Sequence, residues 1–392
     1  MRKLLIISTH PIQYNAPLFR LLDTRKNIEL KVFYTWGQAK EKIFDPGFGK
    51  EREWDIPLLD GYEYQFIENI SVEPGSHHFK GIETPSLIKK IEAYDPDMIL
   101  IFGWSFKSHL KVMRYFKGKK KIIFRGDSNL LDEAPGFSVK KIVRRIFLKW
   151  VYHYVDVALY TGEANKEYYL KHGLKEAQLL FAPHAVDNKR FALAAIENEN
   201  SIEQIREAIG IPANAIVFTF AGKFESKKNP QLLIDAFVQL NNEKAHLLLV
   251  GSGPLEISLK TGVSKLPEET INRIHFMPFQ NQTGMPDIYC MGDVFCLPSQ
   301  GPGETWGLAV NEAMACSRPV LVSNKCGCYL DLVKEDVNGF VAGSNDINDW
   351  SAKMGVLLKK EKKLIDMGMR SAQLIQQWSY ENVCTVIEKV LS

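Results

Sequence analysis

Short runs of Ile, Leu, Val and Phe recur along the chain, each followed by a polar, glycine- or proline-bearing stretch and then by apolar residues at helical spacing. Runs that stay apolar at successive positions suit strands covered on both faces, and their alternation with helical segments suits parallel strands joined by crossover helices. The first series predicts strands at 3–8, 30–34, 98–102, 121–124 and 157–160. A second begins after the polar stretch 195–201, with strands at 215–221, 246–250, 273–277, 294–298 and 319–323. Helices are predicted at 201–209, 230–240 and 307–315. No short-period repeat or low-complexity tract interrupts the pattern.

A chain of 392 residues exceeds one ordinary core at ~150 residues per domain. We expect an α/β protein of two Rossmann-like doubly wound domains, 1–190 and 191–375. The segment 376–392, with Ser379 as helix N-cap, is expected to pack back on the first. Two such domains facing each other would form a cleft at the carboxyl ends of both sheets, where open α/β sheets bind ligands.

Composition narrows the class. Hydrophobic residues at 45% and charged residues at 24% are the balance of a globular protein. The apolar run after Met1-Arg2-Lys3 is too short for a signal-peptide core, and no stretch approaches the ~20 apolar residues of a membrane span, so a cytoplasmic location is expected. The six cysteines match no zinc spacing and read as buried free thiols. A net charge of +3 is too small to imply a nucleic-acid partner. The charge is uneven, however, with Lys117-Gly-Lys-Lys-Lys121 and a second basic cluster over 140–150. In the latter, Ile142, Val143, Ile146, Phe147 and Trp150 stand between the charges. One reading is an ordinary amphipathic helix with a solvated basic face; another is peripheral contact with an anionic membrane at its inner face.

Two segments carry candidate chemistry. Phe220-Ala-Gly222-Lys223-Phe-Glu-Ser-Lys227-Lys228-Asn-Pro230 leaves a strand and enters a helix. Glycine permits close backbone approach, the lysines supply positive charge, and a helix N-terminus offers N–H groups, which together suit a pyrophosphate; a solvated basic turn is the plainer alternative. The second segment, Pro298-Ser299-Gln-Gly301-Pro-Gly303-Glu304-Thr305-Trp306-Gly307-Leu308-Ala-Val-Asn-Glu312, runs from a strand through a glycine-rich loop into another helix. Glu304 can accept hydrogen bonds from sugar hydroxyls and Glu312 can hold a ribose diol. Taken singly, either glutamate also suits a helix-end charge or a surface position.

With these residues in order, followed by Glu312-Ala-Met-Ala315, Pro319-Val320 and Asn338-Gly339-Phe340, the chain resembles glycosyltransferase family 4, retaining enzymes of the GT-B fold. The resemblance is strong over about residues 215–345. It implies that Lys223 and Lys228 bind the donor's diphosphate, with lysine in place of the usual arginine at 223. It also implies that Glu304 contacts the transferred sugar, Glu312 the ribose, and the backbone of Thr305, Trp306, Gly307 and Leu308 the sugar and phosphate. Gly222 belongs to the same cradle, and Phe279 to the loop flanking the base. Relatives often carry a histidine after the strand at 121–124; here Arg125-Gly126-Asp127-Ser128 follows, so Asp127 or Arg125 stands there. His10, where relatives often have paired glycines, is a candidate for contact with donor or acceptor. His184 replaces a usual asparagine at the interdomain junction and is either a site residue or structural.

The implied reaction moves a hexosyl group from a nucleoside diphosphate sugar, UDP or GDP, to a hydroxyl of a glycan or lipid-linked acceptor. Glu304, Lys223, Lys228, Asp127 and His10 would serve catalysis. No cofactor and no metal are expected, and Asp95-Pro96-Asp97 reads as a turn before a strand. Two other readings share the fold: a nucleotide-sugar epimerase or hydrolase, and an inactive donor-binding partner subunit.

Overall fold

The structure, a computed structural model, describes residues 1–37, 43–45, 50–52, 54–197 and 199–392. The chain divides between His184 and Ala185 into two compact units. Tyr380–Ser392 returns to the first, and the described residues of 44–55 group with the second.

The N-terminal unit is a seven-stranded sheet. Its strands are β1 (Arg2–Ser8), β2 (Ile28–Tyr34), β5 (Tyr64–Phe66), β6 (Met98–Phe102), β7 (Lys121–Arg125), β8 (Val157–Tyr160) and β9 (Leu179–Phe181). They lie in the order β5-β2-β1-β6-β7-β8-β9, every pair parallel; β3 (Ile43–Asp45) and β4 (Lys50–Arg52) pair separately. Leu5, Ile7, Ile99, Ile101, Ile122 and Phe124 point from the strands into one buried cluster with Val112 and Met113 of the helix Lys107–Phe116. The last helix, Tyr380–Leu391, buries Tyr380, Val383, Cys384, Ile387, Val390 and Leu391 at helical spacing. It packs on the helix Ala16–Asp23, and Lys121 Nζ donates to the Val390 carbonyl at 2.9 Å.

The C-terminal unit has six parallel strands: β10 (Ile216–Ala221), β11 (Ala245–Val250), β12 (Ile274–Met277), β13 (Val294–Leu297), β14 (Val320–Ser323) and β15 (Gly339–Ala342). Their order is β12-β11-β10-β13-β14-β15. β10, β11 and β13 are buried at every residue, which is why they stand out as unbroken apolar runs. In both units the chain starts in the middle of the sheet, builds outward on one side, then crosses back to build the other. The crossover point lies between β1 and β6 in one sheet and between β10 and β13 in the other, and at such a point a crevice opens at the carboxyl ends of the strands.

Besides the separate pair β3 and β4, the apolar pattern did not predict β5, β9 and β15, all of them sheet edges of three or four residues. Each is too short, and β5 and β9 too exposed, to read as a buried run. The basic segment forms the helix Val139–Tyr152, and Lys140, Arg144 and Lys149 on it are exposed, but they are not alone at its surface. The face turned away from the core is apolar, with Val139, Val143 and Ile146 all exposed.

Candidate functional site

β10 and β13 end side by side at the crossover point of the C-terminal sheet, and the loops that leave them, 222–229 and 298–307, carry most of the predicted site residues. The two loops are tied directly. The Gln300 amide donates to the Lys227 carbonyl at 2.9 Å, and Gln300 Nε2 donates to the Ser226 carbonyl at 2.6 Å.

Across this seam Lys228 forms an ion pair with Glu304, whose carboxylate also accepts from Ser299 Oγ at 2.9 Å. Ser299 is wholly buried, the Glu304 side chain is 9% exposed and that of Lys228 18%. Burial alone would raise the Glu304 pKa, but the Lys228 ammonium and the Ser299 hydroxyl outweigh it and hold the carboxyl below its usual value. For Lys228 burial acts to lower the pKa, and the Glu304 carboxylate outweighs that and holds it above the usual value. Both groups therefore stay charged through neutral pH. An ammonium carries three donors, so Lys228 can hold Glu304 and an anionic ligand oxygen at once.

The helix Leu308–Ala315 starts where the β13 loop ends. Its N-cap, Gly307, has φ +99° and its missing Cβ would lie 2.9 Å from Leu297 Cδ2, so both conformation and space call for glycine. Gly307 brings no capping side chain and its carbonyl accepts from the Val310 amide at 2.9 Å, so the positive end of this helix dipole carries no side-chain cap. Trp306 is buried and donates from Nε1 to Asn311 Oδ1 at 2.8 Å, so its ring pins loop to helix. Thr305 precedes it, and Leu308 opens the helix. Glu312, one turn into the helix, is buried and accepts from the Tyr289 hydroxyl at 2.6 Å. A third loop locks the second: the Gly327 amide donates to the Glu304 carbonyl at 3.1 Å and the Cys328 amide to the Trp306 carbonyl at 3.0 Å.

Sequence reasoning missed the loop after β11, Gly251-Ser252-Gly253. The Gly222 amide donates to Val250 O at 3.0 Å and the Phe224 amide to Ser252 O at 2.9 Å, so this loop shapes the turn that carries Gly222 and Lys223. Gly251 has φ +149°, and a Cβ there would lie 1.9 Å from the Gly222 carbonyl oxygen. The signal was a Gly-x-Gly directly after an apolar run. Phe279 follows β12, half-buried, in a segment that Arg190 steadies by donating from NH2 to Gln282 Oε1 at 3.0 Å.

His10 and Asp127 belong to the other unit. His10 follows β1, with Nδ1 2.9 Å from Thr9 Oγ1 and its ring edge-on to Trp36 at 5.0 Å. Asp127 stands 3.8 Å from His184 Nε2. Burial lowers the His184 pKa, partly offset by Asp127, which favours a neutral imidazole at pH 7. Arg125 had equal claim to the place of Asp127, but its buried guanidinium donates to the carbonyls of Ala182 and Pro183, each at 2.8 Å. It is therefore a clamp on the segment leading to His184, and Asp127 remains the candidate. Arg125→Ala should leave two buried carbonyls without donors and lower stability by about 2–4 kcal/mol, read as a shift of the urea midpoint.

Among the described residues no group of three or more His, Cys, Asp or Glu side chains is placed to hold a metal ion. Asp95 ends the helix Leu87–Tyr94 in a left-handed conformation, and Asp97 Oδ2 accepts from the Lys3 amide at 2.8 Å, the geometry of a turn.

Residues 201–373 match the family described as Glycosyl transferases group 1. A D-inositol 3-phosphate glycosyltransferase of Gordonia bronchialis is 27% identical over 190 residues, 46% of this chain and 41% of its own. Its counterpart in Corynebacterium urealyticum is 27% identical over 250 residues, 61% and 57% of the two chains. The chain spans about half the length of the curated relatives it matches. Among solved structures, Anabaena HepE in complex with UDP superposes with a TM-score of 0.73 at 16% identity, covering 100% of this chain and 99% of its own. Its complex with UDP-glucose gives 0.71 at 17%, with the same coverage. Sucrose-phosphate synthase of Thermosynechococcus elongatus gives 0.73 at 16%, covering 100% and 98%. At these identities the likeness establishes the fold, two Rossmann-like parallel-sheet domains of the GT-B class.

Proposed function

We propose that this chain, a group 1 glycosyl transferase over residues 201–373, moves a hexosyl group from a nucleoside diphosphate sugar to a hydroxyl of a glycan or lipid-linked acceptor, with retention at the anomeric carbon. The observation that carries this reading is the Lys228–Glu304–Ser299 cluster at the crossover point, beside a helix whose N-cap has no side chain.

In this reading Lys228, Lys223 and the amides of Thr305, Trp306, Gly307 and Leu308 take the diphosphate, where lysine charge and the positive end of the helix dipole add up. Glu304 is held charged and accepts from hydroxyls of the transferred sugar. Glu312, oriented by Tyr289, accepts from the ribose diol, and Gly222 and Phe279 flank the nucleotide. As the acceptor oxygen bonds to the anomeric carbon and the bond from that carbon to the diphosphate breaks, the electron pair leaves with the phosphate oxygen, and that phosphate takes the proton released by the acceptor hydroxyl. The step needs neither a protein base nor a metal, and the reading includes no cofactor. Asp127 and His10 are assigned to acceptor or donor contact in the N-terminal unit. The base is uracil or guanine; HepE, solved with UDP and UDP-glucose, favours the former. Six buried free thiols favour a reducing compartment, the cytoplasm.

Calorimetry of UDP, GDP, ADP and their sugar conjugates tests the donor site. Tight binding of one nucleotide is expected, weakened by about tenfold or more in Glu312→Ala through loss of hydrogen bonds to a charged acceptor. Absence of binding by all of them would overturn the reading. Product analysis without acceptor separates transfer from hydrolysis or epimerisation.

A further inference from the structure

The helix Val139–Tyr152 spends one face on the core through Leu148, Val151 and Tyr152. At 3.6 residues per turn the opposite face carries Val139, Val143, Ile146 and Trp150, exposed at 68%, 60%, 66% and 39%. Ile142 and Phe147 widen this strip, and Phe137, just before the helix, is 84% exposed. A water-facing apolar strip of this extent on one helix is uncommon in a globular domain and marks a surface that something covers.

The charges indicate what covers it. Lys140 and Arg144 run along one edge of the strip, Arg145 and Lys149 along the other, and the helix holds no acidic residue. Arg114 of the neighbouring helix adds a guanidinium 5.4 Å from the Trp150 ring centroid. Glu133, close by, is paired with Arg145 and Lys171. Lysine is depleted from protein–protein interfaces, and a two-fold pairing with a second copy would set like-charged edges against each other. An apolar strip between two cationic rows, with an aromatic residue on it, instead matches a lipid interface, where acyl chains take the strip and headgroup phosphates take the rows.

We infer that the helix Val139–Tyr152 docks the protein flat on an anionic lipid bilayer, Val143, Ile146 and Trp150 entering the acyl boundary and the flanking lysines and arginines meeting the phosphates. The inference stands on this surface alone and does not depend on the transfer reaction.

The test is sedimentation of the full chain with vesicles of phosphatidylcholine, with and without phosphatidylserine. Binding to the anionic vesicles, reversed by salt, is expected, with little to the neutral ones. Lys140→Ala with Arg144→Ala should weaken partitioning by about tenfold or more, and Ile146→Glu should abolish it. Circular dichroism melting of each variant, expected unchanged because the substituted side chains are exposed, separates lost docking from lost folding. Equal binding to neutral vesicles, no binding to either, or unchanged binding by Ile146→Glu would overturn the inference. So would a wild-type dimer in solution that Ile146→Glu splits, since a second copy would then own the strip.

Discussion

Lys228→Met is expected to lower kcat/KM for sugar transfer by about 10²–10³-fold, the size of effect seen when one preorganised charge stabiliser is removed from a reacting centre. The same change should cost about 2–4 kcal/mol of stability, because it strands the Glu304 carboxylate in a buried position with Ser299 still donating to it. The lower part of that range is favoured by the partial exposure of Lys228, which lets water screen the pair. The pH dependence gives an independent check. In the wild type the folded Glu304 titrates below 4.5, so its contribution is present above that value and is lost as pH falls through the folded pKa. Lys228 titrates above 10.5, so its contribution is present below that value and is lost as pH rises through the folded pKa. Without the ammonium, burial pushes Glu304 up, and the gap in stability between variant and wild type should narrow on acidification. Chemical denaturation at neutral pH and near pH 4 measures this; a gap that stays constant would remove the ion pair from the account. Turnover equal to wild type would remove Lys228 from catalysis.

Gly251→Ala should be the most damaging single methyl in the C-terminal unit. The added carbon would sit 1.9 Å from the Gly222 oxygen, backbone against backbone, at a φ of +149° that side chains rarely adopt. Neither partner is the mobile end of a side chain, so the turns after β10 and β11 must part. A loss of more than about 4 kcal/mol is expected, enough to leave that unit largely unfolded on expression. Gly303→Ala is the control: its φ of +92° is also strained, but no atom lies within 4 Å of the new carbon, so only about 1–2 kcal/mol should be lost. Urea midpoints of the two proteins compare them directly. Similar values would mean that strain, not the clash, sets the cost.

The two variants also mark where sequence reading reached and where it stopped. The strands Met98–Phe102 and Val157–Tyr160 coincide with their predicted ranges because a buried strand has nothing but apolar side chains to show. Lys228 and Glu304 could each be picked from a local pattern, but that they touch depends on β10 and β13 being neighbours, which only the strand order supplies. The choice between Arg125 and Asp127 turned on two main-chain carbonyls that no pattern reveals. The helix Val139–Tyr152 is the sharpest case. It has apolar residues on both faces, so periodicity showed a helix with an apolar stripe without telling which stripe enters the core. Gly251 was passed over because a glycine pair after a strand looks like any turn until a second loop closes on it.

The return of Tyr380–Leu391 to the N-terminal unit bears on how the protein is made. All strands of that unit leave the ribosome before residue 185, yet the helix that packs on Ala16–Asp23 follows only after residues 185–379 have been translated. At ~5–20 residues per second that interval is roughly 10–40 s. The first sheet must wait through it with one helix face bare, long enough for a nascent-chain chaperone to bind that face and hold it until its covering helix emerges.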